Sequence, residues 1–307
     1  METILVTGGA GAIGGKLSNK LLKLGYRVVV IDDLSSGTEA SLEENIIFIN
    51  GTICNDVDLN NAFSYKIDYV FHLAALFANQ NSVEHPEKDL HTNGHGTLNV
   101  LRYSTKYKVK KLLYVSSSCV YTNQKKMDEN AALSAFDTPY ASTKYLGEMY
   151  CHIWSKHYKQ DIIIVRLFNS YGPGEYFGKY RCVIPNFFHL AMNNKPLEIT
   201  GTGEEIRDFN YVDDTLQGIM KAMFSPTKPC DVFNLASGKG TKIIDLALMI
   251  NEITGNDNGI KFCPRRDWDS VSKRIGVINK AVKTLKYSPK TELRDGLMQT
   301  YGWFKNL

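Results

Sequence analysis

Short apolar runs recur through the first half of the chain, and between them apolar positions return at helical spacing. The runs predict strands over 2–7, 26–31, 45–50, 67–72, 111–116 and 161–167. The intervening patterns predict helices over 12–24, 56–64, 86–107 and 138–158. Strands that alternate with helices imply a parallel sheet covered on both faces, so the expected fold is α/β, a doubly wound Rossmann-type sheet. After Phe168 the pattern changes. From Asn169-Ser170-Tyr171-Gly172-Pro173-Gly174 onward the chain is rich in glycine, proline and aromatic residues, as a loop-built lobe would be. Helices are expected from Pro185 to Asn193 and up to about residue 224, and Val232-Phe233-Asn234-Leu235 reads as a last strand of the main sheet. The organisation expected is a main domain over 1–168, to which 211–237 returns, and a smaller, mostly helical lobe over 169–307. No repeat or low-complexity linker interrupts it.

The first strand, Thr3 to Thr7, runs into Gly8-Gly9-Ala10-Gly11-Ala12-Ile13-Gly14-Gly15, and Leu17, Leu21, Leu22 and Leu24 then continue at helical spacing as far as Gly25. Strand, glycine turn, helix is the context in which Gly8, Gly11 and Gly14 allow a tight turn and a close approach of backbone to a pyrophosphate at the helix N-terminus. The second strand ends on Asp32-Asp33, where a dinucleotide fold places the acid that accepts from the adenosine ribose. Two carboxylates would repel a 2′-phosphate and no arginine follows closely, so NAD is favoured over NADP.

Composition removes several classes. A net charge of +4 over 307 residues, with Lys108, Lys110 and Lys111 as the one tight basic cluster, does not suit a nucleic-acid partner. Apolar runs stay short of the ~18 residues that a spanning helix needs, and the chain opens on a strand where a leader would carry basic residues, so a cytoplasmic protein with no membrane partner is expected. The six cysteines lack Cys-x-x-Cys spacing and read as reduced thiols, mostly in the core. His91 and His95 lie four apart, but without a third ligand nearby in sequence they read as ordinary helix residues, and no metal is expected.

Tyr140-Ala141-Ser142-Thr143-Lys144 places a phenol and an ammonium on one helix face. A tyrosine titrates near pH ~10, so it serves as a base at neutral pH where a fixed positive charge, here Lys144, stabilises the phenolate.

These motifs together resemble the extended short-chain dehydrogenase/reductases that act on nucleotide-sugars: epimerases, 4,6-dehydratases and decarboxylases. The resemblance spans nearly the whole chain. It rests on Thr7 to Gly14, Asp32-Asp33-Leu34-Ser35-Ser36-Gly37, His72-Leu73-Ala74-Ala75, Asn93 to Thr97, Ser116-Ser117-Ser118-Cys119-Val120-Tyr121, the Tyr140–Lys144 pair, Asn169 to Gly174 and Arg207-Asp208-Phe209. It implies NAD held by Gly8, Gly11, Ala12, Ile13, Gly14, Asp32, Asp33, Ser35, Gly37, Leu73, Ala74, Ala75, Asn93, Tyr140 and Lys144. It implies Tyr140 as base, Lys144 as its electrostatic partner and ribose ligand, and Ser117, four before Tyr121, as the hydroxyl that binds the sugar oxygen. Ser118, Asn169, Arg207 and Arg266 or Arg265 are then expected on the nucleoside diphosphate sugar.

Departures from the family pattern narrow the reaction. The acid that often binds adenine is replaced in Asn50-Gly51-Thr52-Ile53, which leaves Thr52 and the backbone of Ile53. Ala12 stands where phenylalanine is common. The Asp-Glu pair of a 4,6-dehydratase is Ser118-Cys119 here, which argues against elimination of water. The leading expectation is a UDP-sugar 4-epimerase of surface polysaccharide biosynthesis, working through a transient 4-keto sugar. A GDP-sugar 3,5-epimerase using Cys119 with Lys179, a C4 dehydrogenase, and a non-catalytic NAD-sensing module stay open beside it. The family further implies a homodimer through a four-helix bundle of 86–107 and 138–158, with Tyr145, Met149, Ile153 and Trp154 available for that face.

Overall fold

The structure, a computed structural model, describes residues 1–121, 126–133, 135–269 and 271–307. Six strands, β1 (Thr3–Thr7), β2 (Arg27–Asp32), β3 (Ile47–Asn50), β4 (Tyr69–His72), β5 (Lys111–Ser117) and β6 (Ile162–Leu167), join Asp231–Leu235 in one sheet. Its order is Asp231–Leu235, β6, β5, β4, β1, β2, β3, and every pairing is parallel. Alternate residues feed the two faces: Ile4, Val6, Val28 and Val30 pack on one side, and Leu5, Val29 and Ile31 on the other. The sheet is therefore buried on both sides, and its strand order reverses between β1 and β4. A doubly wound sheet opens its ligand crevice at the carboxyl ends of the strands at such a switch point.

Each strand expected in this sheet forms within two residues of its predicted bounds. The region 86–107, expected as one helix, is instead Pro86–Asp89, a π-helical segment Leu90–Gly96 and Thr97–Lys106. The helix Pro139–Tyr158 starts where Thr138 Oγ1 accepts from the N–H of Ala141 at 3.3 Å and Pro139 takes the first turn, where its missing N–H costs nothing. It lies close on β5 because Gly147 has no side chain: a Cβ there would stand 2.1 Å from the hydroxyl of Tyr114. That contact brings Tyr140 and Lys144 over the end of β5.

Beyond β6 the chain forms small sheets that the hydrophobic pattern did not resolve. Asn169–Tyr171 pairs with Phe209–Tyr211, Leu197–Thr200 with Ile260–Cys263, and Ile206–Arg207 with both Thr241–Lys242 and Lys273–Arg274. Strands of two to four residues carry too few side chains to show a period. The helices Val183–Met192, Ile243–Thr254 and Leu293–Phe304 pack around them, while Val212–Phe224 lays Leu216, Ile219 and Met223 against the main core.

Three surface expectations change. Trp154 is buried in the core, so of the residues proposed for a helix-bundle face Met149 and Ile153 are exposed, Tyr145 is half-buried and Trp154 is not available. All six cysteines are free, but Cys119 and Cys151 alone are buried, and the other four are half-exposed. His91 and His95 do have a third potential ligand: Cys54, distant in sequence, brings its sulfur within 4.8 Å of an imidazole nitrogen on each.

Candidate active site

A cleft of about 1380 Å³ runs over the carboxyl ends of the strands between the sheet and the second half of the chain. At its near end β1 stops at Gly8, whose φ of +68° and whose distance of 2.7 Å from a notional Cβ to Ala74 both require glycine. Gly14 is as constrained, since a Cβ would stand 2.1 Å from the Gly8 carbonyl oxygen. The helix Ala12–Lys23 that follows has no side-chain cap and no acidic residue in its first turn, and Gly11, Ala12, Ile13 and Gly14 line the cleft. Uncapped N–H groups with an unopposed helix dipole suit a phosphate. Asp32 accepts from the N–H of Ala10 and of Leu34, both at 2.9 Å. Burial pushes its pKa up, against the pull of those two bonds. A carboxylate has about four acceptor sites, so two stay open for a ribose diol. The residues present therefore fit a dinucleotide.

Asp33, Ser35, Thr52, Ile53, Leu73, Ala74 and Ala75 also line the cleft, as expected for a cofactor wall. Gly37 and Asn93 do not. Gly37 backs the wall, with a notional Cβ 2.5 Å from the Ala10 carbonyl oxygen. Asn93 is buried behind it, accepting from the N–H of Leu76 at 2.8 Å and donating to Asp89 at 2.7 Å, which fixes the loop after β4. The N–H of Thr52 is taken by Asp58 at 2.9 Å.

At the centre, β5 delivers Ser117, whose Oγ accepts from the N–H of Cys119 at 3.2 Å and bonds the Tyr140 hydroxyl. Lys144 Nζ lies 5.8 Å from the centroid of the Tyr140 ring and donates to the Val115 carbonyl at 3.0 Å. The expected lowering of the tyrosine by this lysine is not what the protein alone provides. Burial, and then the proximity of Cys119, hold the Tyr140 hydroxyl well above its ordinary value despite the bond from Ser117, and the ammonium is turned to the main chain. Burial also brings Lys144 down to about 8, so it still carries its proton at neutral pH. His72, expected only as part of the family motif, is buried between Thr7 Oγ1 at 2.7 Å and Thr97 Oγ1 at 3.0 Å. Burial drives it to about 3, so it stays neutral.

At the far end Cys119 Sγ faces two donors, Asn79 Nδ2 at 3.6 Å and Arg274 Nη1 at 3.5 Å. Arg274 was not anticipated from the sequence, where it stands among other basic residues in a two-residue strand. It is 8 % exposed, its Nε has no partner, and no carboxylate of the described residues pairs with it. Arg207 is held by Asp269 at 3.2 Å and lowered by burial and by the charge of Arg274. Asn169, Ser118, Arg207 and Arg266 line this end, and Arg266 lies over the Trp268 ring at 5.5 Å. Arg265 is not part of the wall; its Nε donates to the Asp269 carbonyl at 2.8 Å. Lys179 sits on the exposed rim, ion-paired to Glu84 at 2.7 Å. A second unanticipated residue is Glu175, which follows the Gly172-Pro173-Gly174 turn and is buried against the cleft; burial raises it to about 7.

With the geometry in place, comparison with known proteins identifies the family. The profile of the NAD dependent epimerase/dehydratase family matches residues 4–236. The structure resembles Epimerase Mth375 of Methanothermobacter thermautotrophicus, with a TM-score of 0.95 and 43% identity over 99% of this chain and 92% of that one. It resembles equally the UDP-glucose 4-epimerase of Thermotoga maritima solved with UDP-glucose, at TM-score 0.95 and 35% identity over 99% of both chains. Among sequences, the UDP-glucuronate 4-epimerase of Thermodesulfobacterium geofontis is 32% identical over 99% of this chain and 97% of its own. A glycine turn, an acid at the end of β2 and a Ser117–Tyr140–Lys144 cluster on a doubly wound sheet agree with these matches: the chain belongs to the NAD-dependent epimerase/dehydratase family of short-chain dehydrogenase/reductase enzymes that act on nucleotide-sugars.

Proposed function

We propose that the protein is a 4-epimerase of a UDP-hexuronic acid. Arg274 carries the choice of an acidic sugar. A guanidinium that is buried without a carboxylate is costly unless an anion meets it, and its contact with Cys119, two residues after Ser117, supports a place for this charge beside the sugar. Arg207 and Arg266 serve the diphosphate, for which guanidinium forks are suited. The relative named UDP-glucuronate 4-epimerase supports the same substrate class.

The chemistry NAD supplies when bound is reversible acceptance of a hydride, at C4 of the sugar. The protein's part is proton and position control. Ser117 holds the C4 oxygen against Tyr140, which takes the hydroxyl proton and returns it after the 4-keto sugar has turned over. The positive charges of Lys144 and the cofactor offset the burial that otherwise keeps the phenol protonated. Lys179, spent on Glu84 at the rim, leaves Cys119 without the lysine that 3,5-epimerisation would place opposite it. The same reading includes a cytoplasmic enzyme of surface polysaccharide biosynthesis and a homodimer through the Met149–Ile153 face.

The test is to supply UDP-glucuronate and UDP-glucose separately and follow anomeric protons by NMR. The expected result is conversion of the acid to its C4 epimer without net reduced cofactor, and loss of that preference in Arg274→Met. Turnover confined to the neutral sugar would overturn the substrate assignment, and an acid preference that survives in Arg274→Met would overturn the role of Arg274 in it.

A further inference from the structure

We infer that Cys54, His91 and His95 form a site for a zinc-like divalent cation beside the adenine end of the cleft. The imidazoles stand four residues apart on the π-helical segment Leu90–Gly96, with ring centroids 5.3 Å apart and planes within 12° of parallel. The Cys54 sulfur comes from the loop after β3, and the three donor atoms all lie within 4.8 Å of one another. This approach is built into the backbone. A Cβ on Gly96 would stand 2.6 Å from Ile53 and 3.3 Å from Cys54 Sγ, so the loop seats against the helix because that residue is glycine. Cys54 N–H donates to Thr52 Oγ1 at 3.3 Å, and its thiol donates to the His91 carbonyl at 3.4 Å, which holds the sulfur on the histidine side. His95 has a second contact, Asn99 Nδ2 at 3.5 Å.

One thiolate and two imidazoles are a donor set for zinc or cobalt and a poor one for magnesium or calcium. Bond lengths of ~2.3 Å to sulfur and ~2.0 Å to nitrogen place tetrahedral ligands roughly 3.3–3.5 Å apart. The two histidines are exposed, so their rings can close the remaining distance by rotation. Three protein ligands leave the fourth position to water. His91 also lines the cleft with Thr52 and Ile53, so a bound ion would border the adenine pocket.

The experiment is a titration of the chelator-treated full-length protein with Co²⁺ alone, followed by Zn²⁺. One equivalent of cobalt should give a sulfur-to-cobalt charge-transfer band and tetrahedral visible bands, and zinc should remove both. Cys54→Ser should abolish the charge-transfer band. His95→Ala, at an exposed side chain, should weaken cobalt binding by more than about 100-fold, beyond the ~10–100-fold that an outer-shell partner controls; circular dichroism checks the fold of each variant. Absence of the band, or a band unchanged in Cys54→Ser, would overturn the site. Should Cys54→Ser misfold, unchanged cobalt affinity in His95→Ala would overturn it as well.

Discussion

Two buried arginines, one under the sheet and one in the cleft, are handled in opposite ways. Arg166, on β6, makes a two-pronged pair with Glu148 at 2.6 and 2.8 Å, and also donates to Tyr121 at 2.7 Å. Tyr121 donates onward to Asn234 at 2.8 Å, and Ser116 donates to the same carboxylate at 2.5 Å. Each polar atom there has a protein partner, so the cluster locks β5, β6 and the helix Pro139–Tyr158 together. Arg274 has a thiol at 3.5 Å and an unsatisfied Nε. The first charge is complete within the fold and the second is not, which is how a binding residue differs from a structural one when both are buried.

The comparison breaks most visibly if Arg166 is made to resemble Arg274. Glu148→Ala leaves a buried guanidinium without its carboxylate and should cost about 3–5 kcal/mol of stability, read by urea unfolding. Glu175 gives the next effect. Its folded-state pKa is raised, so its contribution is complete below the ordinary value near 4.5 and is lost as pH rises through about 7. Glu175→Gln should therefore match the parent near pH 4 and exceed it by about 3 kcal/mol at pH 8, measured as unfolding free energy against pH. Arg274→Met should leave the free protein as stable as the parent or more stable, because no ion pair among the described residues is broken and a buried, unpaired charge is removed. It should also abolish any extra rise in Tm that UDP-glucuronate gives over UDP-glucose. A loss of stability as large as that of Glu148→Ala would place Arg274 among the structural charges.

The regions differ in legibility for a related reason. β1, the glycine turn and Asp32 were readable because contiguous residues define them: an apolar run, glycines that a Cβ would exclude, and an acid at a strand end. The Tyr140–Lys144 pair was readable from helical spacing alone, but its electrostatics were not, since the burial of the phenol and the turn of Lys144 to Val115 depend on β5 and the helix above it. Arg274, Glu175 and the meeting of Cys54 with His91 and His95 were hidden because each is made by segments far apart in the chain. Arg274 meets Cys119 across 155 positions, through a strand too short to leave a pattern. Gly37 and Asn93, taken from the family motif as cofactor ligands, turned out to stand one layer behind the wall, a distinction that sequence order does not carry.

The central claim is that Tyr140 moves the proton in a C4 epimerisation. The most direct measurement is NMR in D₂O of the UDP-hexuronate with parent and Tyr140→Phe enzymes. The account predicts interconversion of the two C4 epimers by the parent, no deuterium in the sugar ring, and a rate lower by ~10²–10⁴ in the variant. A near-parent rate in Tyr140→Phe, or deuterium entering at C3 or C5, would contradict it.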